Sequence, residues 1–133
     1  MSYKILIIED VNIDVKPIMQ TLEHSGFEVI TAENGLDGIA KAIKNKPDIV
    51  IVDLLLVERG DETDGFDVIK VIRSTPEIAQ IGILAWTSHF VRGQDEILAL
   101  RSGADDFVRK DIDFGVLEAR ISALVRRTGR ASN

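Results

Sequence analysis

Residues 49–56 read Ile49-Val50-Ile51-Val52-Asp53-Leu54-Leu55-Leu56: four apolar residues, one acid, then three more apolar residues. A β-branched run of this kind forms a strand covered on both faces, as in a parallel sheet packed between helices. An ionised side chain there is costly unless a cation, a hydrogen-bond network or a proton compensates it. Asp53 therefore either caps the turn that ends the strand or belongs to a compensating group of residues. The pattern on either side of the run separates these two readings.

Upstream, residues 3–8 form a shorter apolar run that leads into Glu9-Asp10. Val11, Val15, Ile18 and Leu22 then recur at helical spacing, and Gly26 supplies a C-terminal stop. Phe27 to Thr31 predicts a second strand, and Leu36, Ile39, Ala40 and Ile43 a second helix that closes before Pro47. The third strand takes residues 48–53. Downstream, the polar segment 58–64 ends at Asp64, a predicted N-cap for a helix carrying Phe66, Ile69 and Ile72. After a turn region over 74–80, residues 81–86 predict a fourth strand, and a helix over 90–101 stops at Ser102-Gly103. Residues 106–109 predict the fifth strand; Phe114, Leu117, Ile121 and Leu124 mark a last helix. This alternation predicts an α/β domain, a doubly wound parallel sheet of five strands with helices on both faces.

The 133 residues suffice for one domain with a substantial core, and 45% hydrophobic with 29% charged residues fits a globular chain. The formal net charge of −6 argues against direct nucleic-acid binding through a broad basic face. Without cysteine, disulfides and thiolate-bound metals are excluded. No apolar run approaches a membrane span or a signal-peptide core, so the expected location is cytoplasmic.

In doubly wound sheets ligands bind beyond the C-terminal strand ends. That edge receives Glu9 and Asp10 from the first strand and Asp53 from the third, with Thr87 and Ser88 from the fourth and Lys110 from the fifth. Taken singly, each has a structural explanation: a helix cap, a strand-end hydroxyl, a surface lysine. Together the acids and the lysine leave about two net negative charges, which favours a hard divalent cation. With oxygen donors alone, Mg²⁺ suits best, because it accepts one or two carboxylates, water and a phosphoryl oxygen. The oxygen spacing of a Ca²⁺-binding loop is missing. A carboxylate nucleophile beside a metal, a lysine and a hydroxyl describes phosphoryl transfer onto Asp53.

Lys4-Ile5-Leu6-Ile7-Ile8-Glu9-Asp10, Ile49 to Asp53, Trp86-Thr87-Ser88 and Gly103 to Lys110, in this order, resemble the response-regulator receiver domain of two-component signalling. The resemblance implies the flavodoxin-like fold with strand order 2-1-3-4-5. It makes Asp53 the phosphoacceptor for a histidine kinase or a histidine phosphotransfer protein. Mg²⁺ would be held by Asp10, Asp53 and the backbone carbonyl of Leu55, with Glu9 acting largely through water. Thr87 and Lys110 would bind the phosphoryl group, and Thr87 with Phe107 would form a switch pair. Leu55 and His89 fall where the family tunes access to the site, although His89 also reads as a solvent-facing residue at a helix start. The family's output and homodimer face is that of the fourth helix, fifth strand and fifth helix. The receiver would span residues 1–128, with 129–133 a basic tail or linker stub and any output partner or effector domain unspecified. Such a domain is not a turnover enzyme; it catalyses only its own phosphorylation and dephosphorylation.

Three departures stand out. Asp53 to Gly65 is a step of twelve, longer than usual for the family and without its mid-loop proline. Lys110 precedes Asp111 rather than proline, so Asp111 is a potential competitor for the lysine. Leu55 stands at an access position where a smaller or polar side chain would admit water more readily. Rival readings are an aspartyl-phosphate hydrolase, which needs a second acid at Leu55, and a flavin carrier, which needs a hydroxyl- and glycine-rich loop where Glu9-Asp10-Val11-Asn12 would repel a phosphate. A receiver-like dimerisation module that works without phosphorylation is the remaining alternative.

Overall fold

Strands and helices alternate along the chain in the computed structural model, which describes residues 2–10, 12–54, 64–88 and 93–129. The elements are β1 (Lys4–Ile8), α1 (Asn12–His24), β2 (Glu28–Ala32), α2 (Gly35–Asn45), β3 (Ile49–Asp53), α3 (Gly65–Ser74), β4 (Gly82–Thr87), α4 (Gly93–Ser102), β5 (Asp106–Arg109) and α5 (Phe114–Gly129). All strands pair in parallel in the order β2-β1-β3-β4-β5, as the resemblance implied. Val11, Leu55, residues 58–63, His89 and the tail 130–133 lie outside the described residues.

Strand alternation sends side chains to opposite faces and divides the core in two. Leu6, Ile8, Val50, Val52, Ile83 and Ala85 face α2, α3 and α4. Ile5, Ile7, Ile49, Ile51, Leu84 and Trp86 face α1 and α5, where Ile18, Leu22, Leu117 and Ile121 complete the layer. β3 and β4 are buried along their whole length, which is why their sequences are continuous apolar runs rather than alternating ones.

Several expected strand boundaries move by one residue. β2 begins at Glu28 because the Phe27 amide donates back to Leu22 O (3.1 Å), completing the α1 terminus around Gly26 (φ 98°). Glu28 is the first residue to pair, donating to Tyr3 O (2.9 Å). Asp48 precedes β3 rather than joining it, and its side chain accepts from the Lys4 amide at 2.8 Å. β4 runs to Thr87, where the Lys110 amide donates to Thr87 O.

The buried face of α2 also differs from its large apolar residues. Gly35, Gly38 and Ala42 are buried, while Leu36 and Ile43 are exposed. A Cβ on Gly38 would strike the side chain of Ile8, so this helix lies too close to β1 for anything larger.

One side chain ties the sheet's far end to the α3 side. Arg73 donates to the carbonyls of Gly103 (2.9 Å), Ala79 (2.9 Å) and Ile81 (2.6 Å) and to Asp105 Oδ2 (2.8 Å). Asp105 accepts from the Ile83 amide as well, so the guanidinium fork fixes the turn that launches β5.

Candidate functional site

The strand-end rule brings its residues together as expected. Glu9 follows β1, Asp53 ends β3, Thr87 ends β4 and Lys110 follows β5. Glu9, Asp53 and Thr87 are all buried polar residues at the rim of an otherwise apolar core. The Lys110 ammonium lies 2.6 Å from Glu9 Oε2 and 3.1 Å from Asp53 Oδ2. Carboxylate oxygens of Glu9, Asp10 and Asp53 lie within 4.8 Å of one another, close enough to share one ion. Backbone bonds hold this arrangement: Glu9 N donates to Ala32 O (3.0 Å) and Leu54 N to Trp86 O (3.1 Å).

The cluster carries more negative charge than Lys110 offsets. The Glu9 carboxyl is pushed from 4.5 up to about 8, first by its burial and next by the hydrogen bond with Asp53, against the opposing pull of Lys110. A site that holds a proton near neutral pH for these reasons suits a hard cation, whose charge does the same work.

Asp111 does not compete for Lys110. It pairs instead with Arg109 (2.9 Å), and the Lys110–Asp111 peptide bond is trans. Thr87 and Phe107 share the α3/α4 side of the sheet, since Ala85 lies opposite Phe107 in register and Thr87 two residues further on. Phe107 is half-buried and packs against that layer.

Two neighbours of the site have packing roles that motif spacing does not show. Gly65 opens α3 directly against the acid strand, and a Cβ there would collide with the Asp53 carbonyl and Leu54 Cα. Gly65→Ala is therefore expected to destabilise the fold by about 2 kcal/mol and to displace Asp53. A urea midpoint equal to that of the wild type would refute this. Asp64, just before it, caps α3 by accepting from Asp67 N (2.9 Å) in a reciprocal capping box. The second neighbour is Trp86, whose ring centroid lies 5.2 Å from the Lys110 ammonium.

Residues 5–122 match the sequence profile of the response regulator receiver domain. The chain belongs to that family. This receiver is 34% identical over 129 residues to the alkaline phosphatase synthesis transcriptional regulatory protein PhoP of Bacillus subtilis, covering 96% of this chain and 50% of that protein. It is 36% identical over 127 residues to the DNA-binding dual master transcriptional regulator RpaA of Synechocystis sp., covering 96% and 51%. The chain thus spans about half the length of these curated relatives. Among solved structures, the signal receiver domain of a DNA binding response regulator protein from Colwellia psychrerythraea superposes with a TM-score of 0.83 at 31% identity, covering 94% of this chain and 99% of that one. The receiver is a signalling domain of two-component response regulators, and its described helices include none long and apolar enough to cross a membrane.

Proposed function

We propose that Asp53 is the phosphoacceptor of this receiver, taking a phosphoryl group from a histidine kinase or a histidine phosphotransfer protein. The observation that carries this reading is the convergence of Asp53, Glu9 and Asp10 with Lys110 at one sheet edge. An Asp53 carboxylate oxygen attacks phosphorus, the bond from phosphorus to the donor's imidazole nitrogen breaks, and the departing imidazole keeps the electron pair. The product is a mixed anhydride on Asp53. Lys110 pairs with developing phosphoryl charge, and the buried Thr87 hydroxyl donates to a phosphoryl oxygen. Thr87 then moves inward and Phe107 takes up the space it leaves.

Asp10 and Asp53 would hold magnesium directly in this reading, with the Leu55 carbonyl as a further ligand and Glu9 acting largely through water. Bound magnesium supplies a Lewis acid that offsets charge on the phosphoryl oxygens. Leu55 and His89 remain the proposed access-tuning residues.

The switch is read on the face of α4, β5 and α5. Ile97, Leu98 and Leu100 of α4 and Phe114 and Val116 of α5 are exposed. A groove of about 400 Å³ on this face is lined by Phe107, Val108 and Ile112 together with Glu96, Arg109, Asp111 and Arg120. Homodimerisation or an output partner on this face is the proposed consequence. Residues 1–128 form the receiver, in a cytoplasmic protein, with 129–133 as a basic tail or linker stub.

The test is intact-mass spectrometry after incubation with acetyl phosphate and MgCl₂. One phosphoryl increment per chain, dependent on Mg²⁺, is expected. An unchanged mass under conditions that phosphorylate other receivers would sink the reading and leave the dimerisation module in its place.

A further inference from the structure

Lys110 is held at both ends, and by different means. At its base, the backbone amide donates to Thr87 O at 2.6 Å. At its tip, two carboxylates take hydrogen bonds or ion pairs, and the ammonium also lies 5.2 Å from the centroid of the Trp86 ring. Trp86 is only 2% exposed and is anchored in the layer facing α1 and α5. Its strand position lies directly opposite Asp53 in the β3–β4 register, so the ladder sets the ring's attachment beside the acid.

A lysine stem is long and flexible, and its compact ammonium is strongly hydrated. Carboxylates alone would draw that ammonium onto themselves and occupy its donors. An aromatic face attracts the charge through its quadrupole while accepting no ordinary hydrogen bond, and it keeps water from that side. The indole thus bounds where the cation sits without itself accepting an N–H group.

From this juxtaposition we infer that Trp86 is a positioning residue for phosphoryl transfer, holding the Lys110 ammonium at the acid cluster by cation–π contact. The inference rests on Asp53 being the phosphoacceptor. A tryptophan that merely filled core volume would act independently of the charge on residue 110; a positioning residue acts through it.

The test combines a direct readout of the contact with a double-mutant cycle, both on the full chain. In unphosphorylated, metal-free protein, the ε-methylene protons of Lys110 are expected upfield of ordinary lysine by ring current, and the displacement disappears in Trp86→Leu. Trp86→Leu slows phosphate uptake from acetyl phosphate about fivefold, and Trp86→Phe, which keeps a π face and guards against loss of folding, recovers most of it. In a Lys110→Met background the Trp86→Leu change leaves the residual uptake unaltered. Unshifted methylene protons, or the same Trp86→Leu penalty in both backgrounds, overturn this role alone. Wild-type protein that takes up no phosphate overturns the Asp53 reading and this role with it.

Discussion

Asp53→Asn is expected to lower phosphate uptake from a small phosphodonor by at least about a hundredfold, because an amide oxygen is a far weaker nucleophile than a carboxylate. The substitution is nearly isosteric and sits at a position 3% exposed, so packing changes little. An amide oxygen still accepts from the Lys110 ammonium, now 3.1 Å from Asp53 Oδ2. What changes is charge. After burial, the hydrogen bond with Asp53 and the charge on Asp53 raise the Glu9 pKa, and both effects weaken when its carboxylate goes. The variant is therefore expected to be at least as stable as the wild type at pH 8 while its phosphate uptake falls by that factor. Intact mass and a urea titration measure the two sides. Uptake at the wild-type rate would remove Asp53 from its role, whereas a collapsed urea midpoint would show that the loss of uptake came from unfolding.

The sequence was informative wherever a local rule acts alone. β3 was legible because a strand buried on both faces leaves no polar residue to interrupt it. Asp64 was legible as a cap because an oxygen-bearing residue before a helical pattern satisfies amides that have no intrahelical partner. Strand order was not locally encoded, and it came from the resemblance. The α2 packing face was misleading because Leu36 and Ile43 carry the hydrophobicity while Gly38 makes the close approach. Arg73 has carbonyl partners that lie 6 to 30 residues away, a separation that no periodicity reports.

The candidate site divides in the same way. Membership followed from topology, since strand ends select Glu9, Asp53, Thr87 and Lys110 without knowledge of any distance. Pairing did not. Asp111, adjacent to Lys110 in sequence, turns to Arg109, and Lys110 turns to Glu9 and Asp53, far from it along the chain. Charge on neighbouring residues is visible in a sequence, but the direction in which a turn aims a side chain is not. Trp86 shows a related limit: its place at the end of the fourth strand was legible, while its contact with an ammonium required the packed sheet.

Metal-free protein is expected to lose stability as pH rises from about 5 to about 8, and Mg²⁺ is expected to restore it most strongly at the upper end. The sign follows from Glu9, whose pKa is raised from 4.5 to about 8 chiefly by burial. Below 4.5 the carboxyl is protonated in folded and unfolded chains alike, and its stabilising contribution is fully present. Between the two values the unfolded chain has released the proton and the folded chain has kept it, so each step up in pH favours unfolding. Above about 8 the contribution is gone. The full change is of the order of 3 kcal/mol, since part of the pull is shared with Asp53 and Lys110. A divalent cation takes over the proton's role, so its binding releases a proton and tightens with pH across this window. At a hundred times its dissociation constant it adds about 2.7 kcal/mol. Urea titrations at pH 6 and pH 8.5, with and without MgCl₂, measure both effects. Glu9→Gln provides the decisive control, because an uncharged amide at a position 1% exposed has no proton to lose. Its stability should be nearly level across the window, and an undiminished pH slope in that variant would place the titrating group elsewhere in the fold.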